Sequence, residues 1–547
     1  MRRAPEEVRK TYDVIGRCKE HVMVHRKRSF LTLAFFVGAA LVATALVAEE
    51  NANPGQEKLD KATEVKIAAE TAADLNEVIT LAREAIAAGL DESNKSFANE
   101  LLSSTLTQRA DLICSELFEQ PLRPSRARRL VEMAMTDLQE TLAIDANQSL
   151  AQYLIGRLHA HLGEKDKALA AINEAVRLSS EDNATQAQAL LVRANLRDDA
   201  AERTADFDKA VELTPHDPEV FRYRGMYHLG ENRAEKALAD FDAALALDPD
   251  DGDTHEARGL AQSVLQKYDD AMESFNKAIE QSPDSATAHT HRARVRAIKG
   301  DTPAALKDVE HALELQPGSV QALQLHAALL GSTGKFDKAL KDLNLLRTAM
   351  PDNAELLLQI ATLYQASKQV DKAIDAYGDV LEADPANIGA FRGRADAYLS
   401  QGKQAEAVAD YDKALESDPK NSGVLNNLAW VLATSPDDKL RNGQRAIELA
   451  TTACEVTEYK QAHILSTLAA SYAETGDFDK AKEWSQKAVD LGADEMKGQL
   501  RKELESYEAK KPWREEMPPD LVAEPAADEA EGSKPANGET ARSKPGR

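Results

Sequence analysis

The chain has 547 residues, 43% of them hydrophobic but only 5% aromatic, and 92 acidic against 67 basic residues give a formal charge of −25. Length alone suggests several domains. The charge argues against nonspecific nucleic-acid binding, because phosphates need a basic face and no basic stripe with aromatic interleaving occurs. The three cysteines, Cys18, Cys114 and Cys454, are too scattered for a disulfide framework, and the last two read as buried apolar residues.

In chain order, the first predicted element is a membrane-directed segment. Phe30 to Ala48 is a run of nineteen uncharged residues, with His25-Arg26-Lys27-Arg28 before it and Glu49-Glu50 after it. Such a run is a signal peptide or a single membrane anchor, and its charge polarity keeps the amino terminus in the cytoplasm while the body is exported. Ala43-Thr44-Ala45 offers a small-x-small cleavage site, and a start at Met23 gives a short basic segment before the apolar run. The expectation is an exported protein: periplasmic if residues 1–48 are cleaved, anchored to the inner membrane if they are retained.

Residues 49–57 read as a polar spacer and 58–145 as a helical capping region of degenerate repeats, with helices near 70–88, 95–119 and 124–143. Leu75, Val78, Ile79, Leu81, Ala82 and Ile86 form one apolar stripe, and Leu130, Met133, Leu138 and Leu142 another. From 146 to 493 the chain repeats. Pro215, Pro249, Pro283, Pro317, Pro351, Pro385 and Pro419 stand 34 residues apart without slippage. Ten residues after each comes a small residue (Gly225, Gly259, Ala293, Ala327, Ala361, Ala395, Ala429), and after six of them an alanine follows at twenty-two (Ala237 to Ala407). Ala237, Leu238, Phe241, Ala244 and Leu245 lie along one helical face, which Asp248-Pro249 ends. A fixed period of this size marks a solenoid, whose units bury apolar faces only by stacking on neighbours. Before Pro215 two looser units occur, and after Pro419 the ninth unit gains five residues at Ser435-Pro436-Asp437-Asp438. Residues 494–514 read as a capping helix, and 515–547, rich in Pro, Glu, Ala, Gly and Lys, as a disordered tail.

Segments such as Ala234-Glu235-Lys236-Ala237 through Phe241 to Pro249 resemble the tetratricopeptide repeat family, over about ten helix pairs. The final pairs, with Asn426-Asn427-Leu428-Ala429-Trp430, look like the end module of exported bacterial repeat proteins. The resemblance implies an all-α solenoid, a right-handed superhelix whose first helices line a concave groove that grips peptides or proteins. Groove positions then fall seven and eleven residues after each proline. Candidate partner-binding residues are Tyr153, Arg157, Arg222, Met226, Arg294, Arg392, Asn426 and Trp430. Trp430 is the candidate hot spot, with core packing as the equal alternative.

An arginine ladder runs through the repeats: Arg193, Arg224, Arg258, Arg292 and Arg394. Asp240, Asp308 and Asp410 stand sixteen residues after three of them, Asp206 follows Arg193 in the shortened unit, and Asp342 follows His326. Only Arg258 with Ser274 breaks the correspondence. Charge accompanies counter-charge, which predicts structural ion pairs between helices rather than an anion-binding row.

No catalytic, cofactor or metal site is expected. His159 and His161, like His289 and His291, are spaced to opposite sides of a helix, and His255-Glu256 is followed by Gly259 where a zinc motif needs histidine. Gly331-Ser332-Thr333-Gly334-Lys335 lacks the earlier glycine of a phosphate loop. The expected function is therefore a non-catalytic exported scaffold for protein or peptide partners, without nucleic acid, meeting the membrane through its amino-terminal segment if uncleaved. The alternatives are a substrate-presenting subunit of an enzyme or a structural envelope protein.

Overall fold

A computed structural model describes residues 53–69, 71–119 and 122–515. The predicted signal or anchor segment, Cys18 and the tail from 516 onward lie outside the described residues. Among the described residues no helix is long and apolar enough to cross a membrane.

Every regular element among the described residues is an α-helix, and successive helices pack in pairs. The chain divides into two compact units between Asp284 and Ser285. The first contains α1 (Pro54–Ala68) with α2 (Ala72–Ala88), α3 (Glu92–Glu119) with α4 (Pro124–Ile144), and α5 (Ser149–His161) with α6 (Lys165–Leu178). It continues with α7 (Asn183–Leu196) and α8 (Ala200–Leu213), α9 (Pro218–Gly230) and α10 (Ala234–Leu247), and α11 (Gly252–Val264) and α12 (Tyr268–Gln281). Helix α1 begins inside the stretch that reads as a polar spacer, because the Asn53 side chain accepts from Gly55 N–H and Pro54 suits a first helical turn.

The second unit contains α13 (Ala286–Ile298) and α14 (Thr302–Leu315), α15 (Val320–Ser332) and α16 (Phe336–Ala349), and α17 (Ala354–Ala366) and α18 (Val370–Ala383). After these come α19 (Ile388–Ser400) and α20 (Gln404–Ser417), α21 (Ser422–Thr434) and α22 (Gly443–Val456), α23 (Ala462–Glu474) and α24 (Phe478–Leu491), and a last helix α25 (Asp494–Glu508).

The period is built from three local devices. Two residues after each phased proline stands a capping side chain: Asp217, Asp251, Ser285, Ser319, Asn353, Asn387 or Asn421, each accepting from an N–H in the first turn of the next helix. Seventeen residues after the proline the backbone turns left-handed, at Asn232, Gln266, Gly300, Gly334, Lys368 and Gly402. There the N–H of that residue closes the carbonyl three positions back, from Asn232 to Leu229 at 3.1 Å through to Gly402 to Leu399 at 2.9 Å.

The third device is small against large. A Cβ at Gly225 would come within 2.7 Å of the Phe241 ring, and the same holds for Gly259 and Phe275. Where the small residue is alanine the facing residue varies, from Val309 with Ala293 to Tyr411 with Ala395. The buried clusters run through several successive pairs, such as that from Ala110 to Leu196 and that from Ala395 to Tyr507. Each fully buried phenylalanine, Phe207, Phe241 and Phe275, contributes about 2 kcal/mol or more relative to exposure.

Candidate functional site

The arginine ladder joins helices. Arg224 Nη2 donates to Asp240 at 2.7 Å, Arg292 to Asp308 at 2.8 Å, Arg394 to Asp410 at 2.8 Å and Arg193 to Asp206 at 2.6 Å. The carboxylates are buried. Each guanidinium therefore has a fixed partner in the second helix of its own pair. Arg224 also reaches back to Asp208 at 2.9 Å, and Arg258 to Asp242 at 3.3 Å, tying one pair to the preceding one. The apparent exception closes too: Arg258 Nε donates to Ser274 Oγ at 3.0 Å, and that hydroxyl donates to Gln262 at 2.7 Å. His326 Nδ1 stands 2.8 Å from Asp342 in a contact too oblique for a hydrogen bond. A fifth arginine–aspartate pair, Arg109 with Asp137 at 2.5 Å, sits in the amino-terminal region, where the 34-residue frame did not reach. Burial alone would raise the Asp308 carboxyl, but hydrogen bonds from His289 and Arg292, with the charge of Arg296, hold it down to about 2.

The predicted groove residues differ in how free they are. In the first unit Tyr153 is buried, and Arg157 lies over the Phe118 ring at 4.4 Å. Arg222 is held among Glu219, Asp251 and Asp253 at 3.5 to 3.9 Å, while Met226 is exposed. In the second unit Arg294 and Arg392 are exposed, and Asn426 and Trp430 are half-buried one turn apart on α21.

A polar cluster forms where α19 meets α21. Tyr411 Oη donates to Asp396 Oδ1, Asn427 Nδ2 donates to the same oxygen at 3.3 Å, and Asn426 Nδ2 donates to Asn427 Oδ1 at 3.3 Å. The Asn426 Oδ1 atom is buried without a hydrogen-bond partner. Burial and the Asp396 charge push the Tyr411 phenol up, so it remains a donor. The exposed Arg392 guanidinium lies beside the start of α21, its Nη1 3.7 Å from a Cβ built on Gly423. Sequence spacing put Arg392, Asp396 and Asn426 among the groove positions but gave no sign that Asp396 is a shared acceptor or that Asn427 is the link. The adjacent pair Asn426-Asn427 in an otherwise apolar helix was the available signal.

Trp430 is covered by the chain itself. After α25, residues 511–515 leave helical structure and return to the end of α21. Trp513 packs against the same core cluster as Trp430, whose indole N–H donates to Glu515 Oε2 at 3.1 Å. Glu515 N–H donates to Thr434 O at 2.9 Å, and Arg514 Nη1 to Ala433 O at 3.2 Å. Arg514 also pairs with Glu474, whose other oxygen accepts from Arg441 at 3.1 Å. Within the stretch that reads as a capping helix, 494–514, helical structure ends at Glu508.

Among the described residues no group of three or more His, Cys, Asp or Glu could hold a metal ion. Cys114 and Cys454 are free and buried, and burial pushes both thiols up to about 12, far from reactive thiolates. His255 Nε2 bonds the Pro249 carbonyl at 2.9 Å, a packing role.

Three family models, each described as Tetratricopeptide repeat, match residues 134–183, 185–252, 256–320 and 358–422, then 410–448, then 462–494, together more than half of the chain. No curated protein matches it. Similar solved structures include YrrB, described as a TPR protein with an unusual peptide-binding site, at 20% identity over 34% of this chain and 96% of that one, with a TM-score of 0.32. The C-terminal part of a repeat protein from Cytophaga hutchinsonii is 17% identical over 45% and 98%, with a TM-score of 0.39. Tom70 of yeast is 15% identical over 83% and 96%, with a TM-score of 0.35.

Proposed function

The chain belongs to the tetratricopeptide repeat family, and from that premise we propose that it is an exported, non-catalytic scaffold that holds extended protein or peptide segments along the first helices of its pairs. The family membership carries the coarser statement, a protein–protein interaction scaffold. The finer reading is supported above all by the cluster around Asn426. A buried amide oxygen with no donor, linked through Asn427 to Asp396, is an unmet acceptor that a ligand N–H satisfies when the amide turns outward. An extended peptide backbone offers such donors at regular spacing. The export reading rests on the uncharged run from Phe30 to Ala48 and its flanking charges.

The test is affinity capture after crosslinking, from membrane and soluble fractions, with the wild-type chain and with Asn426→Ala and Arg392→Ala. A stoichiometric partner lost from both variants, with unchanged melting, supports the scaffold. Turnover of substrate by the purified chain alone contradicts it. Alkaline phosphatase fused after Asn53 should be active only if that position leaves the cytoplasm.

A further inference from the structure

The ninth pair departs from its neighbours in the way it ends its first helix. Three residues (231–233) separate α9 from α10, but eight (435–442) separate α21 from α22. In the regular units the carbonyl fourteen residues after the proline is closed locally by the left-handed turn residue. Leu229, Ser263, Ala297, Gly331, Gln365 and Leu399 accept from Asn232, Gln266, Gly300, Gly334, Lys368 and Gly402 at 2.9 to 3.1 Å. In the ninth unit the equivalent carbonyl is Ala433. Ser435 is extended there, at φ −48° and ψ 134°, so the turn donor is missing. The inserted loop restores one bond, Asn442 N–H to Leu432 O at 2.8 Å. The carbonyls of Ala433 and Thr434 are left without a local donor at the negative end of the helix, where they favour a cation.

Those donors come from some eighty residues away. Arg514 supplies one at Ala433, and the Glu515 backbone supplies the other at Thr434. The surrounding groups match the rest of that segment: an apolar surface for Trp513, the Glu474 carboxylate for Arg514, the Trp430 indole for the acid at 515.

We propose that the open end of α21 is a docking site for an extended segment of the pattern aromatic–Arg–acid, and that Trp513-Arg514-Glu515 is its resident occupant, released when a partner segment of the same chemistry takes its place. The proposal rests on the scaffold reading above and names the partner chemistry for this part of the array. The strap is suited to exchange. It has no secondary structure, and its polar contacts to the body are one main-chain bond and three bonds of the Arg514 and Glu515 side chains, all reproducible by another chain in trans. The site lies where the five-residue insertion breaks the 34-residue register, so the insertion that disturbs the solenoid also leaves the acceptors without local donors.

A labelled synthetic peptide covering residues 509–519 is titrated against the full-length wild-type chain and against the double variant Trp513→Ala, Arg514→Glu, with fluorescence anisotropy as the readout. A strap closed about nine-tenths of the time weakens binding in trans about tenfold, so the released variant is expected to bind about tenfold more tightly than wild type. The same peptide with its arginine and acid exchanged should bind neither chain. Equal affinity for both chains, or no binding to a released variant that melts as wild type does, overturns the proposal. If the double variant unfolds, Arg514→Ala alone, which leaves the Trp513 packing in place, decides by the same criteria. Peptide binding without any partner captured through Asn426 removes the scaffold reading and keeps the docking site. Capture through Asn426 with no peptide binding does the reverse.

Discussion

Two regions built from the same helix pair solve the same problem differently. From α9 to α20 each pair closes its own turn, caps its first helix with a side chain and joins its two helices through a salt bridge, an arginine–serine bond or apolar packing. From α21 to α25 the chain closes one helix end with residues from its far terminus and leaves an amide oxygen at Asn426 without a donor. The difference separates stability from recognition. The regular units repeat one set of turns and ion pairs, although they too bury polar atoms without partners, Gln401 Oε1 among them, whereas the irregular unit ends a helix in carbonyls that another chain can meet.

If that division is right, perturbations in the regular array should cost stability first. Arg292→Ala leaves the buried Asp308 carboxylate without its bidentate partner and is expected to cost about 3 kcal/mol in denaturant unfolding. An exposed pair would cost less than about 1 kcal/mol, so a small value would place the ladder among surface charges.

Acid should act at the same place. Asp308 is held at about 2, below its ordinary 3.8, so its ionised form is favoured by folding. For such a depressed carboxyl the stabilisation is complete above the unfolded value and disappears as pH falls from about 4 to about 2, an effect on the order of 2 kcal/mol. Asp308→Asn should flatten that part of a melting-temperature profile.

Glu503 predicts the opposite slope at the irregular end. Burial raises its carboxyl, although Ser466 Oγ donates to it at 2.5 Å and Gln499 at 3.3 Å oppose the shift. Its protonated form is favoured by folding, so the penalty is absent in acid and grows as pH rises through the unfolded and then the folded value. Glu503→Gln should therefore raise the melting temperature at pH 7 and leave it unchanged near pH 3. A fall at pH 7 would show that α25 depends on the charge.

The smallest effect concerns the turns. Gln266 and Lys368 adopt the left-handed conformation that Gly300, Gly334 and Gly402 adopt at the same repeat position, with φ of 59° and 58°. Replacing either by glycine should stabilise by about 0.5–1 kcal/mol, because removal of Cβ strain exceeds the added unfolded-state freedom. A loss of stability would mean that the side chain contributes more than the strain.

What was readable from the sequence follows the same division. The period, the small–large packing and the arginine ladder repeat in one geometry, so each unit reports on the others. Arg258 with Ser274 looked like a break only because a hydroxyl can replace a carboxylate as acceptor, which charge matching does not see. Helix α1 escaped notice because its buried face holds only Gly55, Leu59 and Ala62 among lysines and acids. The strap escaped for a different reason. Its partners at Ala433 and Thr434 are backbone carbonyls, which leave no side-chain signature, and it joins positions far apart in sequence. Its visible trace was Trp513-Arg514 beside a charged tail, together with an insertion that lacks a turn residue.

The most direct test places a photocrosslinking amino acid, p-benzoylphenylalanine, at Asn426 or at Gln324, the exposed residue seven positions after Pro317 on α15 of the regular array, in the native cell, with and without Arg514→Ala. The account predicts a partner adduct from position 426 that increases when Arg514 is removed, and little from position 324. Equal adducts at both positions, indifferent to Arg514, would contradict it.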